Sequence, residues 1–312
     1  MSNPVTQIVL GVDGGGTKTV AVILDGERRV RGRAQGGSTN WNIVGPEAAH
    51  ANLQAVVDQA LAGAGCTAEE VQAACLCAAG VDRPGDRARM ESWLRALLPA
   101  AVVRVENDAV AALASGAGGA TYGVVLISGT GMIVYGFDRA GRRARAGGWG
   151  ALLGDEGSGY ALGMEVLKAV CWAADGRGPE TALTPALLTH LGLDEAERLI
   201  DWAYRDYAWA RFARLAPLAI TCAEAGDPVA QGILERGAES LAIAVGVVVQ
   251  RLGLAEEAFP LVLAGGVLRP GPFCELVKMK LAARAPRAAF IHPPVEPAVG
   301  AAYLALGSIS GK

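Results

Sequence analysis

Several short segments carry residue types that could do chemistry, and most of them follow an apolar run. Asp13-Gly-Gly-Gly-Thr-Lys18 stands directly after Gln7–Val12. Consecutive glycines let backbone N–H groups curl around an anion, and Thr17 adds a hydroxyl donor. A carboxylate beside a phosphate makes sense only with a cation such as Mg2+ between them. Asp13 is therefore the candidate metal residue, and Gly14, Gly15, Gly16, Thr17 and Lys18 form the candidate phosphate cradle. The segment is not a P-loop, because GxxxxGK[ST] is absent. Nor is it a dinucleotide fingerprint, because its glycines are consecutive and a strand follows. A ligand-free glycine hairpin would have the same composition. Ser128-Gly129-Thr130-Gly131 repeats the arrangement in the second half of the chain, however, and two such hairpins facing each other would clamp a polyphosphate.

Glu106-Asn107-Asp108 falls where a buried strand gives way to a helix. Asn and Asp are favoured helix caps, so capping alone would account for them. Ligands also gather at that end of a parallel strand. There Asp108 would accept the proton of an attacking hydroxyl. In Gly147-Gly-Trp-Gly-Ala-Leu-Leu-Gly-Asp-Glu-Gly-Ser-Gly159, glycines surround Trp149 and the acidic pair Asp155–Glu156. Trp149 has the form of a sugar-stacking ring, and Asp155 that of an acceptor for sugar hydroxyls; an Ω-loop around a core Trp is the plain alternative. Ser38-Thr-Asn-Trp-Asn42 places Asn40 and Trp41 in a polar setting suited to a polyhydroxylated ligand, or to an ordinary turn into a helix. Ala264-Gly265-Gly266-Val-Leu268 would let an adenine or ribose lie flat on the backbone, although strand-then-Gly-Gly is also a common turn. His292–Pro297 reads as a rigid connector without chemistry.

The elements that position these segments alternate between strands and helices, which indicates an α/β fold with a largely parallel sheet. Strands are expected at residues 7–12, 20–24, 30–34, 73–80, 102–105, 122–127, 132–135, 143–146 and 260–264. Helices are expected at 46–64, 87–98, 108–116, through much of 160–260, and at 298–306. The unit of strand, glycine turn, strand, Asp-Gly or Ala-Gly turn, strand occurs twice, at an offset of about 115 residues. Two similar domains are expected, 1–118 and 119–296, the second with a helical insertion; a C-terminal helix over 297–312 is a candidate to join the first.

Composition narrows the classes. The 28 Lys+Arg against 31 Asp+Glu give a net charge of −3. No basic block is present beyond Arg142, Arg143 and Arg145, which read as a solvated hairpin edge, so no nucleic-acid partner is expected. Apolar runs such as Ala73–Val81 and Leu241–Val249 fall short of the roughly 20 residues that span a bilayer, and with strand-like character by Val5 no leader is expected. The six cysteines show no CxxC and read as reduced, buried thiols of a cytoplasmic protein, and His50, His190 and His292 have no metal spacing. Trp202, Tyr204, Tyr207 and Trp209 read as helical core, with a dimer surface as the alternative.

Taken together, the two phosphate loops and the Ala264–Leu268 segment resemble the sugar kinase, heat-shock chaperone and actin ATPase superfamily. More narrowly the chain resembles the BadF/BadG-type ATPases and, within them, the N-acetylglucosamine and glucosamine kinases. That match rests on Gly37-Ser-Thr-Asn40, Ala79-Gly-Val-Asp-Arg83, Glu106-Asn-Asp108, Ser128–Gly131 and Gly147–Ser158. The resemblance implies two ribonuclease-H-like (actin-like ATPase) domains with nucleotide and sugar in the cleft between them, and ATP-dependent phosphorylation of an amino-sugar 6-hydroxyl. It makes Asp108 the base; Asn40, Trp41, Asn107, Gly131, Trp149 and Asp155 the sugar contacts; Thr17, Gly129, Thr130, Gly265 and Gly266 nucleotide contacts; and Asp13 a Mg2+ residue acting through water. It further implies a homodimer. Met132-Ile133 stands where the animal N-acetylglucosamine kinases have Ser-Asn, and Trp41 comes one place earlier than their aromatic residue. N-acetylglucosamine, glucosamine, glucose and a muramic-acid derivative all remain open. An ATPase activator of a 2-hydroxyacyl-CoA dehydratase and a non-catalytic sugar sensor on the same fold are the competing readings.

Overall fold

The structure, a computed structural model, describes residues 7–81 and 84–310; Val5, Asp82 and Arg83 of the segments named above lie outside the described residues. The chain divides into two compact units, Met1–Gly123 with Pro293–Lys312, and Val124–His292.

The first unit opens with β1 (Ile8–Gly14), β2 (Thr19–Asp25) and β3 (Val30–Gly36). It continues through α1 (Trp41–Val44), α2 (Pro46–Ala64), β4 (Val71–Ala78), α3 (Pro84–Leu97), β5 (Val102–Asn107) and α4 (Asp108–Gly116). The sheet order is β3-β2-β1-β4-β5. The two hairpin pairings are antiparallel, and β1–β4 and β4–β5 are parallel. Strands covered on both faces read as unbroken apolar runs, as β2 and β4 do. The edge strand β3 alternates exposed and buried positions. Leu10, Val12, Leu53, Val56, Leu76 and Leu94 anchor the core on the α2 and α3 side.

The second unit runs through β6 (Gly123–Ser128), β7 (Met132–Phe137), β8 (Arg143–Gly147), α5 (Gly159–Ala174), α6 (Leu183–Leu191), α7 (Leu199–Arg205) and α8 (Trp209–Ala213). Then come α9 (Ala216–Glu224), α10 (Pro228–Leu252), β9 (Phe259–Ala264), α11 (Pro272–Ala282) and β10 (Ala288–Ile291). Its sheet order is β10-β9-β6-β7-β8, which repeats the first sheet strand for strand, with β6–β9 and β9–β10 parallel. The 25-residue α10 is the longest helix described. Asp227 caps its N-terminus by accepting from Ala230 N, Pro228 begins it, and Gly253 ends it in the left-handed region. The final helix, α12 (Pro297–Ser310), packs through Ala298, Ala301, Ala302 and Ala305 against the first unit's α4, β1 and β4.

Two expectations need correction. Tyr204, Tyr207 and Trp209 are 69%, 66% and 46% exposed rather than core. The short α7 and the connection to α8 place these rings on the surface. Tyr204 and Tyr207 stack edge-to-face on each other, and only Trp202 turns inward against Phe212. Cys171 is exposed on α5 and Cys66 is half-buried, whereas the other four thiols are buried. Among the described residues, no helix is long and apolar enough to cross a membrane.

Candidate active site

In the first unit, the β1–β2 register pairs Gly14 with Thr19 and leaves Gly15–Lys18 as the hairpin tip, closed by Gly15 N donating to Lys18 O at 2.9 Å. Thr17 and Lys18 project into solvent at the tip, and Asp13 sits half-buried at its base. The segment carrying Asn40 docks on this tip. Ser38 donates from Oγ to Gly15 O at 3.0 Å and accepts from Asn40 N at 3.1 Å. Thr39, fully buried, accepts from Thr19 Oγ1 at 3.1 Å. Asn40 caps α1 by accepting from Asn42 N at 3.1 Å. One hydrogen-bond chain therefore joins the glycine tip to Asn40, a role for Ser38 and Thr39 that spacing alone does not reveal.

The parallel pairing of β4 with β1 and of β5 with β4 sets Asn107 and Asp108 two strands from Asp13. Asn107 is buried and caps α4 through Ala109 N at 2.9 Å; Asp108 opens that helix. Glu106 is held by Arg87 and Arg104, at 3.2 and 3.0 Å. Burial pushes the Asp13 carboxyl up to about 7; the charges of Asp108 and Glu296 add to the rise, and Lys18 opposes it. Glu296 itself is held below the usual carboxylate range by its ion pair with Arg33 at 2.7 Å, against the cost of burial, with Lys18 helping. The His292–Pro297 connector thus brings a carboxylate to the field of Asp13 and Lys18. Nothing local in the sequence signals this, because 283 residues separate Glu296 from Asp13. Like charges gathered around a half-buried carboxylate are relieved by a cation.

Trp41 belongs to the core, not to an open face. It is 9% exposed, lies edge-on to Trp93 at 6.2 Å, and has Arg89 over its ring. Its position at the start of α1 turns the indole under the helix, so the polar composition around it misled.

In the second unit, Gly129 N donates to Gly131 O at 2.9 Å, and the N–H groups of Gly159 and Tyr160 donate back to the carbonyls of Gly129 and Thr130. The start of α5 thereby fixes the second glycine turn. Gly265, at φ +94°, passes so close to Ser128 that a Cβ would stand 2.2 Å from its carbonyl oxygen. Gly129, Thr130 and Gly266 line one cavity of about 400 Å³. Beside Val267, its other walls are Ala210, Ala213, Arg214, Ala216, Pro217 and Ile220 of α8, α9 and their junction, which carry no motif in the sequence.

Asp155 stands beside Gly131, where an added Cβ would lie 2.5 Å from its Oδ2. It is 5% exposed and adopts φ +67°, a backbone conformation uncommon outside glycine. Its Oδ1 is buried with no hydrogen-bond partner. Burial raises its carboxyl above the ordinary range, the N–H groups of Met132 and Gly150 pull it back, and Glu156 adds to the rise. A buried acceptor left open in this way is costly unless a ligand donates to it. Trp149 is 65% exposed, with Arg145 stacked over its ring at 5.2 Å.

Residues 10–305 match the model of the BadF/BadG/BcrA/BcrD ATPase family. The chain is 39% identical over 314 residues to an N-acetyl-D-glucosamine kinase of Dictyostelium discoideum, covering 97% of this chain and 98% of that protein. It is 37% identical over 261 residues to an N-acetylmuramic acid/N-acetylglucosamine kinase of Clostridium acetobutylicum, covering 83% and 85%. A candidate N-acetylglucosamine kinase structure from Chromobacterium violaceum superposes with a TM-score of 0.74 at 27% identity, over 96% and 99% of the two chains. Two sheets of one topology, glycine turns at equivalent places in both, and a match from β1 into α12 agree that this chain belongs to the BadF/BadG/BcrA/BcrD ATPase family.

Proposed function

We propose that the protein is an ATP-dependent kinase that phosphorylates the 6-hydroxyl of an N-acetylated amino sugar, first of all N-acetylglucosamine. The observation that carries this reading is the buried, partnerless Oδ1 of Asp155 beside the second glycine turn: it is a ready acceptor for a sugar hydroxyl, next to a loop built for phosphate. Both relatives quoted above are named for N-acetylated sugars, which favours an acetamido substrate over glucosamine or glucose.

In this reading Asn40 and Asp155 hold sugar hydroxyls, with Asn107, Gly131 and Trp149 as further contacts. Gly14–Lys18, Gly129–Thr130 and Gly265–Gly266 hold the nucleotide. Asp108 takes the proton of the attacking hydroxyl as its oxygen bonds to the γ-phosphorus and the bond from that phosphorus to the bridging oxygen breaks, releasing ADP. Little covalent work falls to the protein; positioning and charge neutralisation carry most of the rate.

The residues fit a divalent cation. Asp13 and the charges of Asp108 and Glu296 around it supply hard oxygen chemistry of the sort Mg2+ takes with one or two carboxylates, waters and substrate phosphates. When bound, Mg2+ would neutralise phosphate charge as the leaving group departs. ATP as co-substrate supports a cytoplasmic location, and the exposed Tyr204, Tyr207 and Trp209 support a self-associating surface, in keeping with a homodimer. The function is tested by identifying the product: incubation with Mg-ATP and N-acetylglucosamine should give a phosphorus NMR signal coupled to the two protons on carbon 6. A signal coupled to the anomeric proton would refute the position, and absence of any sugar phosphate would refute the activity.

A further inference from the structure

The second glycine turn, Ser128–Gly131, contains no cation, unlike the first, which ends in Lys18. The cavity beside it is lined by glycine, alanine, proline and aliphatic residues, Thr130, and one charged side chain, Arg214. Arg214 follows α8 directly, and its neighbour Ala213 packs against Gly159, where an added Cβ would stand 3.2 Å from that of Ala213. Gly159 is also the residue whose N–H donates to Gly129 O at 2.7 Å. Arg214 is thus rooted one residue from the contact that fixes the phosphate turn. It is exposed and makes no ion pair among the described residues. Arg211, one turn earlier, is fully engaged: it donates to the carbonyls of Trp202 and Asp206 and covers the Trp202 ring at 3.7 Å.

We propose that Arg214 is a nucleotide-positioning residue, the cation by which the second unit holds the phosphates of ATP and ADP. This rests on the reading of Ser128–Gly131 and Gly265–Gly266 as the nucleotide site. A guanidinium is always charged and presents a planar fork of donors that fits phosphate oxygens. In a wall otherwise without charge, it supplies what the glycine turn lacks.

The test is equilibrium binding of ADP and of adenosine to the full chain and to its Arg214→Ala and Arg214→Lys variants, with KM values for ATP and sugar alongside. The alanine variant should weaken ADP binding and raise KM for ATP on the order of tenfold, with adenosine binding and the sugar KM unchanged. Lysine should restore part of the loss, because it keeps the charge without the fork. Loss of adenosine binding in parallel with ADP would place Arg214 on the nucleoside and overturn the proposal, as would unchanged ADP binding. The binding arms need no sugar: a chain that phosphorylates no sugar yet shows the Arg214-dependent loss for ADP refutes the kinase reading and leaves this proposal standing. A chain that binds neither ADP nor adenosine refutes the nucleotide site itself.

Discussion

At the scale of single residues, the proposed chemistry rests on two carboxylates with different surroundings. Asp108 opens α4 within the electrostatic reach of Asp13, whereas Asp155 is buried beside Gly131 with one oxygen unsatisfied. Their roles separate accordingly. Asp108→Asn keeps size and hydrogen bonding but would remove the proposed base, so turnover should fall by about 10²- to 10⁴-fold while dissociation constants for nucleotide and sugar hold. Steady-state kinetics beside calorimetric binding would check it, and near wild-type turnover would remove Asp108 from the chemistry. Asp155→Ala should instead act on binding. Loss of a charged acceptor for a sugar hydroxyl is worth roughly 1.5–3 kcal/mol, a rise of about 10- to 150-fold in the sugar KM, with KM for ATP little changed. Trp41 marks the limit of composition as a guide: a polar neighbourhood in sequence became an aromatic contact with Trp93 in the core, because the helix that begins at Trp41 turns the ring inward.

At the scale of elements, the segments with strong local signals formed where their residues called for them. Pro46–Ala64 and Pro228–Leu252 carry a proline at their first position and end at a left-handed glycine. β10 and α11 escaped because their signals are weak. β10 has four residues, none fully buried, and α11 starts inside Pro270-Gly-Pro272, which reads as a turn. Capping gives a stability test. Burial works to raise the Asp227 carboxyl, but the N–H groups of Ala230 and Ala182 and the Thr181 hydroxyl outweigh it and hold the group below its ordinary value of 3.8. A carboxyl depressed in the fold stabilises it above the unfolded value and loses that contribution as the pH falls through the folded one. Asp227→Ala should therefore cost about 1–2 kcal/mol at pH 7, and the gap to wild type should narrow below pH 3.8, as read from urea denaturation at both pH values. A cost that did not change with pH would assign the effect to packing.

At the scale of the whole molecule, the repeat was legible because β1–β2–β3 and β6–β7–β8 each announce themselves with a glycine turn between apolar runs. The shared sheet order follows from those hairpins and the parallel strands added beside them. The last helix was legible as a candidate to join the first unit, but the carboxylate of Glu296 in the field of Asp13 and Lys18 was not, because it comes from the far end of the sequence, and the α8–α9 wall of the cavity carries no motif. Asp108, the proposed base, lies in the first unit and the open acceptor oxygen of Asp155 in the second, and a kinase built this way must use sugar and nucleotide together. The most direct measurement is ADP release from Mg-ATP in the presence of N-acetylglucosamine, N-acetylmuramic acid, glucosamine, glucose or no sugar. A kinase for N-acetylglucosamine should show little release in the blank, strong stimulation by N-acetylglucosamine, and weaker stimulation by glucosamine and glucose. Release equal to the blank with every sugar would contradict it.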